Sequence, residues 1–301
     1  MFKFSFSRPD GENDNSDQAA AAQQDASDLE WLHSEKVEVS SSHLNYMLSH
    51  QDSVSQTNIS NFRLQHLSTK SVVKSVLEKS ESGSGIRVAE ELQSDLVPSK
   101  YEGGLKIWEC TEDLLSWLIS DGPDTNLEGK YVLDLGCGAG LLGIAALKYG
   151  AAVVFQDYNK EVLDSCTIPN VLLNLSDEES QRLINNKSQG GPNCEFYSGD
   201  WSSFSDKLQE QRNSEIKFDY ILTSETIYNP QNYNKLIDVF KKFLKTSGSV
   251  YLAAKTYYFG VGGSLREFET TMAKDSSLKC EVCWKCPSGV SREILKITFV
   301  K

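Results

Sequence analysis

The sequence predicts an α/β protein with a mostly parallel sheet that ends in an antiparallel hairpin. From Pro98 onward, short apolar runs alternate with helix-like stretches. Strands that alternate with helices build a parallel sheet covered on both faces. The chain then ends in LKCEVCWKC, a turn at 287–289 and REILKITFV, which is typical of a closing hairpin. A glycine-rich turn after the first strand marks the carboxyl edge of the sheet as the ligand-binding edge.

The predicted elements follow one another in a regular order. The parallel strands and the helices between them are KYVLDLG, a helix in GLLGIAALKYG, AAVVFQD, a helix from Lys160, a strand before YSGDW, FDYILTSE, a helix over 231–245 and SVYLAAK. Connections of this kind are right-handed, and they place the ligand crevice near the switch in strand order.

Before this main domain, assigned to residues 99–301, the composition changes twice. Residues 1–28 are assigned to an acidic tail, whose segment 8–28 is poor in aromatic residues. Such a segment cannot bury enough apolar surface to offset its ordering entropy, so the tail is predicted to be disordered. Residues 29–98 are predicted to be an extension of short elements that leans on the main domain. All four histidines fall within this extension, which excludes Ser–His–Asp and Cys–His hydrolase chemistry in the main domain.

Composition narrows the class of partner. The 301 residues carry a formal charge of −12, which argues against a protein that grips nucleic-acid phosphates. Seven cysteines without a secretory signal fit a reducing compartment, and no apolar run approaches the ~20 residues that span a bilayer. We therefore expect a monomer of the cytoplasm and nucleus, with no direct nucleic-acid binding and no membrane.

The cysteine cluster near the end of the sequence lacks the pattern of a metal site. Cys280, Cys283 and Cys286 are three residues apart, but zinc usually takes four ligands in two separated pairs. The sequence has no second pair and no downstream histidine. No metal is predicted.

The glycine loop carries the strongest single signal. Gly136, Gly138 and Gly140 permit a tight turn with close approach of a ligand to the backbone. The dinucleotide fingerprint would need glycine at position 141, where Leu141 stands. Asp134 suits a positively charged ligand better than a pyrophosphate, and S-adenosylmethionine carries an ammonium and a sulfonium. An equal alternative is that Asp134 only braces the amides of the loop.

Two further strand ends indicate an adenosine-containing ligand. Asp157 ends the second strand at the distance where an acid holds a pair of ribose hydroxyls. Asp200 and Trp201 follow the third strand, where the acid can accept from an adenine amino group and the indole can cover the ring.

The fourth strand ends where the transferred group would lie. It places Ser224, Glu225 and Tyr228 at the carboxyl edge of the sheet. We predict Glu225 and Tyr228 as catalytic residues. The alternatives are that Glu225 caps a helix and that Tyr228 only packs.

These motifs together resemble a known family. DLGCGAG, QDYN, GDW and SETIY, in this order, are similar to the seven-β-strand methyltransferases that use S-adenosylmethionine. YEGGLKIWECT and AAKTYYFGVGGSLREF resemble the protein-histidine methyltransferases that act on a large-subunit ribosomal protein. The resemblance covers roughly residues 95–301. It implies a Rossmann-like, seven-stranded class I sheet, S-adenosylmethionine as cofactor and a ribosomal protein as substrate.

The resemblance also implies a set of cofactor contacts, several of which the strand ends had already indicated. They are Ile107, Trp108, Glu109, Cys110, Thr111, Gly136, Gly138, Gln156, Asp157, Tyr158, Asn159, Gly199, Asp200, Trp201 and Ser224. Residues 107–111, here called the doorway segment, precede the glycine loop and are part of this set. Thr111 is expected to cap a helix whose first turn holds two acids, with Leu114, Leu115 and Leu118 facing the core.

The chemistry of a histidine substrate requires orientation more than a strong base. A free imidazole, with a pKa near ~6.5, is largely neutral at pH 7, unlike a lysine near ~10.4. We expect Glu225 or a nearby carbonyl to accept one ring N–H, so that the other nitrogen attacks, and Tyr228 to wall the slot. The family pattern points to the distal (tele) nitrogen.

The sequence motifs are also compatible with other functions. A lysine-directed sister enzyme would share the cofactor half, and substrate choice would lie in loops such as the glycine-rich flap at 257–265. A non-catalytic cofactor-binding partner in ribosome assembly is the third possibility. A dehydrogenase comes last because the glycine spacing differs from that fingerprint.

Overall fold

The computed structural model describes residues 30–81, 84–120, 127–185, 193–212 and 216–300, so the tail predicted over residues 1–28 lies outside the described residues. Its strands are β1 Glu35–Val37, β2 Val54–Ile59, β3 Phe62–Leu67, β4 Tyr131–Leu135, β5 Ala152–Asp157, β6 Cys194–Ser198, β7 Phe218–Ser224, β8 Leu244–Lys255, β9 Leu278–Lys285 and β10 Arg292–Phe299.

Eleven α-helical segments lie among the described residues. They are α1 Ser41–Ser49, α2 Thr69–Lys79, α3 Gly85–Glu91, α4 Glu109–Ser120, α5 Leu141–Lys148, α6 Lys160–Val162, α7 Ile168–Leu173, α8 Asp177–Ile184, α9 Trp201–Arg212, α10 Tyr233–Phe243 and α11 Leu265–Ala273. A π-helical turn, Leu163–Thr167, joins α6 to α7. None of the described helices has both the length and the apolar character that crossing a bilayer requires.

The main sheet confirms the predicted α/β architecture. Its strand order is β1-β6-β5-β4-β7-β8-β10-β9. Strands β4 to β8 are parallel to their neighbours among themselves, and β10 runs antiparallel to both β8 and β9. The predicted closing hairpin is therefore β9–β10. Strand order reverses at β4, so the crevice between the β5 and β7 sides opens at the carboxyl ends of these strands.

The sheet has one strand more than the seven predicted. The eighth, β1, comes from the N-terminal extension and pairs antiparallel with β6, with Glu35 opposite Ser198 and Val37 opposite Phe196. A three-residue strand in a polar region gives almost no signal in the sequence, which is why it was missed.

The rest of the extension shares the core of the main domain. The hairpin β2–β3 contributes buried Leu64 and Leu67, and helix α2 contributes Val72. The amide of Leu67 donates to the Asn170 side-chain oxygen on α7 at 2.8 Å. A boundary at residue 98 stays a prediction, but apolar side chains cross it in one continuous cluster.

The central strands are buried on both faces, as a parallel sheet between two helix layers requires. In β4, Val132, Leu133 and Leu135 are all inaccessible to solvent. Helix α10 is shorter than the predicted 231–245, because Leu244 already belongs to β8. The three cysteines lie on the edge strand β9 or directly after it. Among the described residues, no three His, Cys, Asp or Glu side chains converge as a metal site.

Candidate active site

A cavity of about 330 Å³ opens at the carboxyl ends of the parallel strands. That volume lies at the lower end of the range of small-molecule sites. Most of the predicted site residues line it, namely Ile107, Trp108, Glu109, Thr111, Gly136, Gly138, Asp157, Tyr158, Gly199, Asp200, Trp201, Ser224, Glu225 and Tyr228. Their contact with a cofactor or substrate stays a prediction.

Asp134 lies behind the wall of this cavity instead of lining it. Its carboxylate is 1% exposed and accepts the amide N–H of Gly143 at 2.8 Å. Burial raises its pKa to about 8, so at pH 7 the group is largely protonated. This geometry favours the alternative that Asp134 braces the start of α5. The role of Asp134 toward a cationic ligand stays a prediction.

Three further predicted contacts also lie behind the cavity surface. Gln156 donates to the Gly199 carbonyl at 2.8 Å and accepts from Trp201 Nε1 at 3.0 Å. Asn159 accepts from the Glu102 amide at 3.1 Å, and Cys110 is fully buried. These residues support the cavity wall from behind, and their contact with the cofactor stays a prediction.

Asp157 is the central carboxylate on the side of the cavity that the glycine loop borders. One carboxylate oxygen accepts the Gly138 amide at 2.9 Å, and the other accepts the Asn159 amide at 3.2 Å. Gly138 adopts φ +50, and a Cβ at Gly104 would lie 3.0 Å from the Asp157 carboxylate, so both glycines admit a close approach. Burial raises the pKa of Asp157 to about 6, although these amides oppose the shift.

At the end of β6, Asp200 already has partners for both oxygens. Oδ2 accepts the Ser202 amide at 2.9 Å at the start of α9, and Oδ1 forms an ion pair with Lys235 Nζ at 2.5 Å. An adenine amino group would therefore compete with Lys235 for this carboxylate. The prediction that Asp200 accepts from adenine stays untested.

The doorway helix α4 begins at Glu109, two residues before the predicted cap at Thr111. The Thr111 hydroxyl instead lies 2.7 Å from the Ser224 hydroxyl, which ties the doorway to the end of β7. Trp108 Nε1 donates to the Gly103 carbonyl at 3.2 Å. Further along α4, the core-facing leucines are placed as predicted: Leu114 and Leu115 are fully buried and Leu118 is partly buried.

Glu225 is the most unusual residue of the cavity. Its backbone adopts the left-handed region with φ +57, which costs a non-glycine residue on the order of 1–3 kcal/mol. Its side chain is 6% exposed, and neither carboxylate oxygen has a hydrogen-bond donor among the described residues. A buried carboxylate without hydrogen bonds is costly and points to a functional role.

A lysine at the end of β8 supplies the countercharge. Lys255 Nζ lies 3.5 Å from Glu225 Oε1 and 3.2 Å from Glu109 Oε2. Burial alone would lower the pKa of Lys255, but the two carboxylates raise it above its usual value. Burial, reinforced by the charge of Glu225, raises the pKa of Tyr258 far above the ordinary value. The site therefore holds an ammonium and two carboxylates, with a protonated phenol beside them.

Tyr228 is held by a residue that sequence reasoning passed over. Its hydroxyl donates a short hydrogen bond to Glu102, whose other oxygen accepts the Ser99 amide at 3.1 Å. Burial raises the pKa of both Tyr228 and Glu102. The available signal for Glu102 was a carboxylate directly before two glycines, and for Lys255 a charge at the end of an apolar strand.

Comparison with known proteins gives the family. A family described as lysine methyltransferase matches residues 90–260. The mouse histidine protein methyltransferase 1 homolog is 41% identical over 248 residues, which are 78% of this chain and 67% of the relative. The Dictyostelium discoideum homolog is 42% identical over 68% of this chain and 61% of its own length, and the Saccharomyces cerevisiae protein is 31% identical over 69% and 67%.

The chain belongs to the histidine protein methyltransferase family. It spans about two thirds of the length of the curated relatives that it matches, with 66% for the bovine protein. The predicted S-adenosylmethionine cofactor is confirmed by this membership. The residues present fit that group, since the cavity is large enough and a carboxylate-braced glycine loop borders it.

Proposed function

We propose that the protein methylates a histidine imidazole nitrogen of a protein substrate, with S-adenosylmethionine as the methyl donor. The observation that carries this proposal is Glu225, a buried carboxylate on the cavity wall whose two oxygens have no hydrogen-bond donor among the described residues. An imidazole N–H is a suitable donor for it. The names of the relatives support the same residue type as acceptor.

The cofactor half holds the donor through residues that are already fixed. Gly136, Gly138, Asp157 and Trp201 line this half, and the backbone amides that Asp157 accepts keep the loop rigid. When bound, S-adenosylmethionine supplies a methyl group on a positively charged sulfur. Because the sulfur leaves as a neutral thioether, the protein needs no acid for the leaving group.

The acceptor half orients the nucleophile. Glu225 accepts one ring N–H, so the lone pair of the other nitrogen faces the cofactor half. Lys255 Nζ, 3.5 Å from Glu225 Oε1, supplies the countercharge beside it. Tyr228, held by Glu102, forms a rigid wall of the slot. Positioning of this kind suits a nucleophile that is already neutral near pH 7.

The mouth of the cavity suits a polypeptide substrate. Tyr257 and Phe259, in the predicted flap at 257–265, line the mouth and are 49% and 62% exposed. Their rings pack edge to face with centroids 4.7 Å apart. An exposed aromatic pair beside a site offers apolar surface to residues that flank the target histidine.

The finer identity of the substrate rests on the family resemblance. We propose a large-subunit ribosomal protein and the tele nitrogen, with a monomeric enzyme in the cytoplasm and nucleus. The formal charge of −12 supports a basic protein partner.

The test is labelling of a cell extract depleted of this enzyme, with the purified protein and methyl-labelled S-adenosylmethionine. Hydrolysis of the labelled band should give tele-methylhistidine in a protein of ribosomal size, and a Glu225→Gln variant should give little. The pros isomer would overturn the choice of nitrogen. Absence of any label, with cofactor binding intact, would favour a non-catalytic binding partner.

A lysine target is the second candidate, because the matching family is described as lysine methyltransferase. The ammonium of a substrate lysine would also be attracted to Glu225, but it must lose a proton before attack. Methyllysine in the same hydrolysate would establish this alternative while leaving the fold and the cofactor unchanged.

A further inference from the structure

The N-terminal strap, residues 31–37, crosses the carboxyl edge of the sheet beside the cavity. The Leu32 carbonyl accepts the Asp200 amide at 2.9 Å, and the Leu32 amide donates to the Tyr158 hydroxyl at 3.0 Å. The Ser34 amide donates to the Ser203 hydroxyl at 2.8 Å before the strap continues as β1. Residues that directly follow β5 and β6 therefore hold the strap.

The strap backbone packs directly against Gly199. This glycine adopts φ +101, and a Cβ there would lie 2.5 Å from the Ser34 Cα and 2.7 Å from the His33 carbonyl oxygen. Backbone atoms cannot give way as a flexible side chain can, so only glycine is compatible with the strap in place. The glycine of the GDW motif thus serves the strap as well as the cavity wall.

Trp31, at the start of the strap, is the strap residue that lines the cavity. Lys235 Nζ lies 3.6 Å from the centroid of the Trp31 ring. The same ammonium forms the ion pair with Asp200. On another side, the Trp31 ring meets Tyr158 edge to face, with centroids 6.1 Å apart. One indole therefore contacts Tyr158 directly and reaches Asp200 through the Lys235 ammonium, and both Tyr158 and Asp200 line the cavity.

We propose that Trp31 is a further cofactor-binding residue, which closes the adenosine end of the S-adenosylmethionine site. The residues beside it, Tyr158, Asp200 and Trp201, lie at the strand ends where the sequence motifs place the ribose and the base. An indole face suits an adenine ring, and its contact with Lys235 keeps the ammonium over Asp200. The N-terminal extension is then part of the cofactor site.

The experiment is calorimetric titration of the full-length protein with two ligands. S-adenosylhomocysteine carries both ends of the cofactor, whereas 5′-methylthioadenosine carries the adenosine end without the amino acid. Trp31→Ala should weaken binding of both by about tenfold, the loss expected for one base–aromatic contact. The matched control is Leu32→Ala, whose side chain is 41% exposed and whose strap hydrogen bonds come from the backbone; it should bind within about twofold of the wild type.

Two further variants separate cofactor binding from anchoring of the strap. Trp31→Phe keeps an aromatic face and should recover most of the affinity, whereas Trp31→Leu keeps apolar packing and should not. Retained affinity for both ligands in Trp31→Leu would overturn the proposal, even if Trp31→Ala does not fold. A loss for S-adenosylhomocysteine alone would place Trp31 at the amino-acid end and overturn the assignment to adenosine.

Discussion

The two halves of the cavity differ in how their central carboxylates are satisfied. On the cofactor side, Asp157 accepts two backbone amides within hydrogen-bond distance. On the acceptor side, neither oxygen of Glu225 has a hydrogen-bond donor in bonding geometry among the described residues. Its neighbours are the Lys255 ammonium at 3.5 Å and the Tyr258 phenol, and its backbone is left-handed. The fold itself satisfies Asp157, whereas under the proposed function a donor from the substrate satisfies Glu225.

Asp157→Ala tests the cofactor half of the cavity and should cause the largest loss of binding affinity among these variants. It removes the acceptor of two amides and the proposed ribose acceptor, and one hydrogen bond to a charged group is worth about 1.5–3 kcal/mol, so affinity for S-adenosylhomocysteine should fall at least about 100-fold. Calorimetric titration measures it. Asp52→Asn, at an exposed carboxylate remote from the cavity, is the control and should bind normally. Near-normal binding by Asp157→Ala would contradict the role of this carboxylate in the cofactor half.

Glu225→Gln tests the acceptor half. The amide keeps the shape but loses the charge, so kcat should fall about 30-fold, the equivalent of roughly 2 kcal/mol, while affinity for S-adenosylhomocysteine stays within about threefold. Single-turnover kinetics with a histidine peptide, together with titration, would separate the two quantities. Glu267→Gln, an exposed glutamate at the start of α11, is the control. Equal losses in both quantities would show that the halves are not independent.

The pH dependence of cofactor binding sharpens the comparison. Burial raises the pKa of Asp157 from 3.8 to about 6, so below pH 6 the group is mostly protonated and is a weaker acceptor for ribose hydroxyls. Affinity for S-adenosylhomocysteine should fall about fivefold from pH 6 to pH 5, and binding near pH 6 should release protons. Titration in two buffers of different ionisation enthalpy measures that release.

Protonation of Asp157 does not itself destabilise the folded protein, so the expected loss of affinity is not a consequence of unfolding caused by this group. Because the pKa of this acid is raised on folding, the folded protein holds the proton more tightly than the unfolded chain between pH 3.8 and about 6. Protonation of Asp157 therefore favours the folded state as pH falls through that window, even as the affinity decreases. Affinity that is flat from pH 8 to pH 5 would contradict the assignment.

Asp134→Asn should have the smallest effect. Burial raises the pKa of Asp134 to about 8, so the side chain is already largely uncharged at pH 7, and the Asn oxygen can still accept the Gly143 amide. Affinity for S-adenosylhomocysteine should stay within about threefold of the wild type. A loss of tenfold or more at an unchanged Tm would restore the idea that Asp134 acts on the positive charge of the cofactor.

The residues that sequence reasoning found share one property. Asp157, Trp201, Ser224 and Glu225 each lie at or just beyond the end of a predicted strand, and parallel strands bring such ends to one edge. Sequence position alone did not determine which way a side chain at a strand end points. Asp134 precedes a glycine loop in the chain but points behind it, because side chains alternate between the faces of a strand.

The sequence by itself determined the order of the elements and the edge of the sheet at which the site lies. The alternation of apolar runs with helical stretches, the glycine turn and the order of strand-end residues were sufficient for the sheet, its closing hairpin and the cofactor edge. The tertiary structure alone decided which distant groups meet there. Lys255 reaches Glu225, Glu102 holds Tyr228 and Trp31 covers Lys235, because partners so far apart in the chain are set by how the elements pack and not by neighbouring residues.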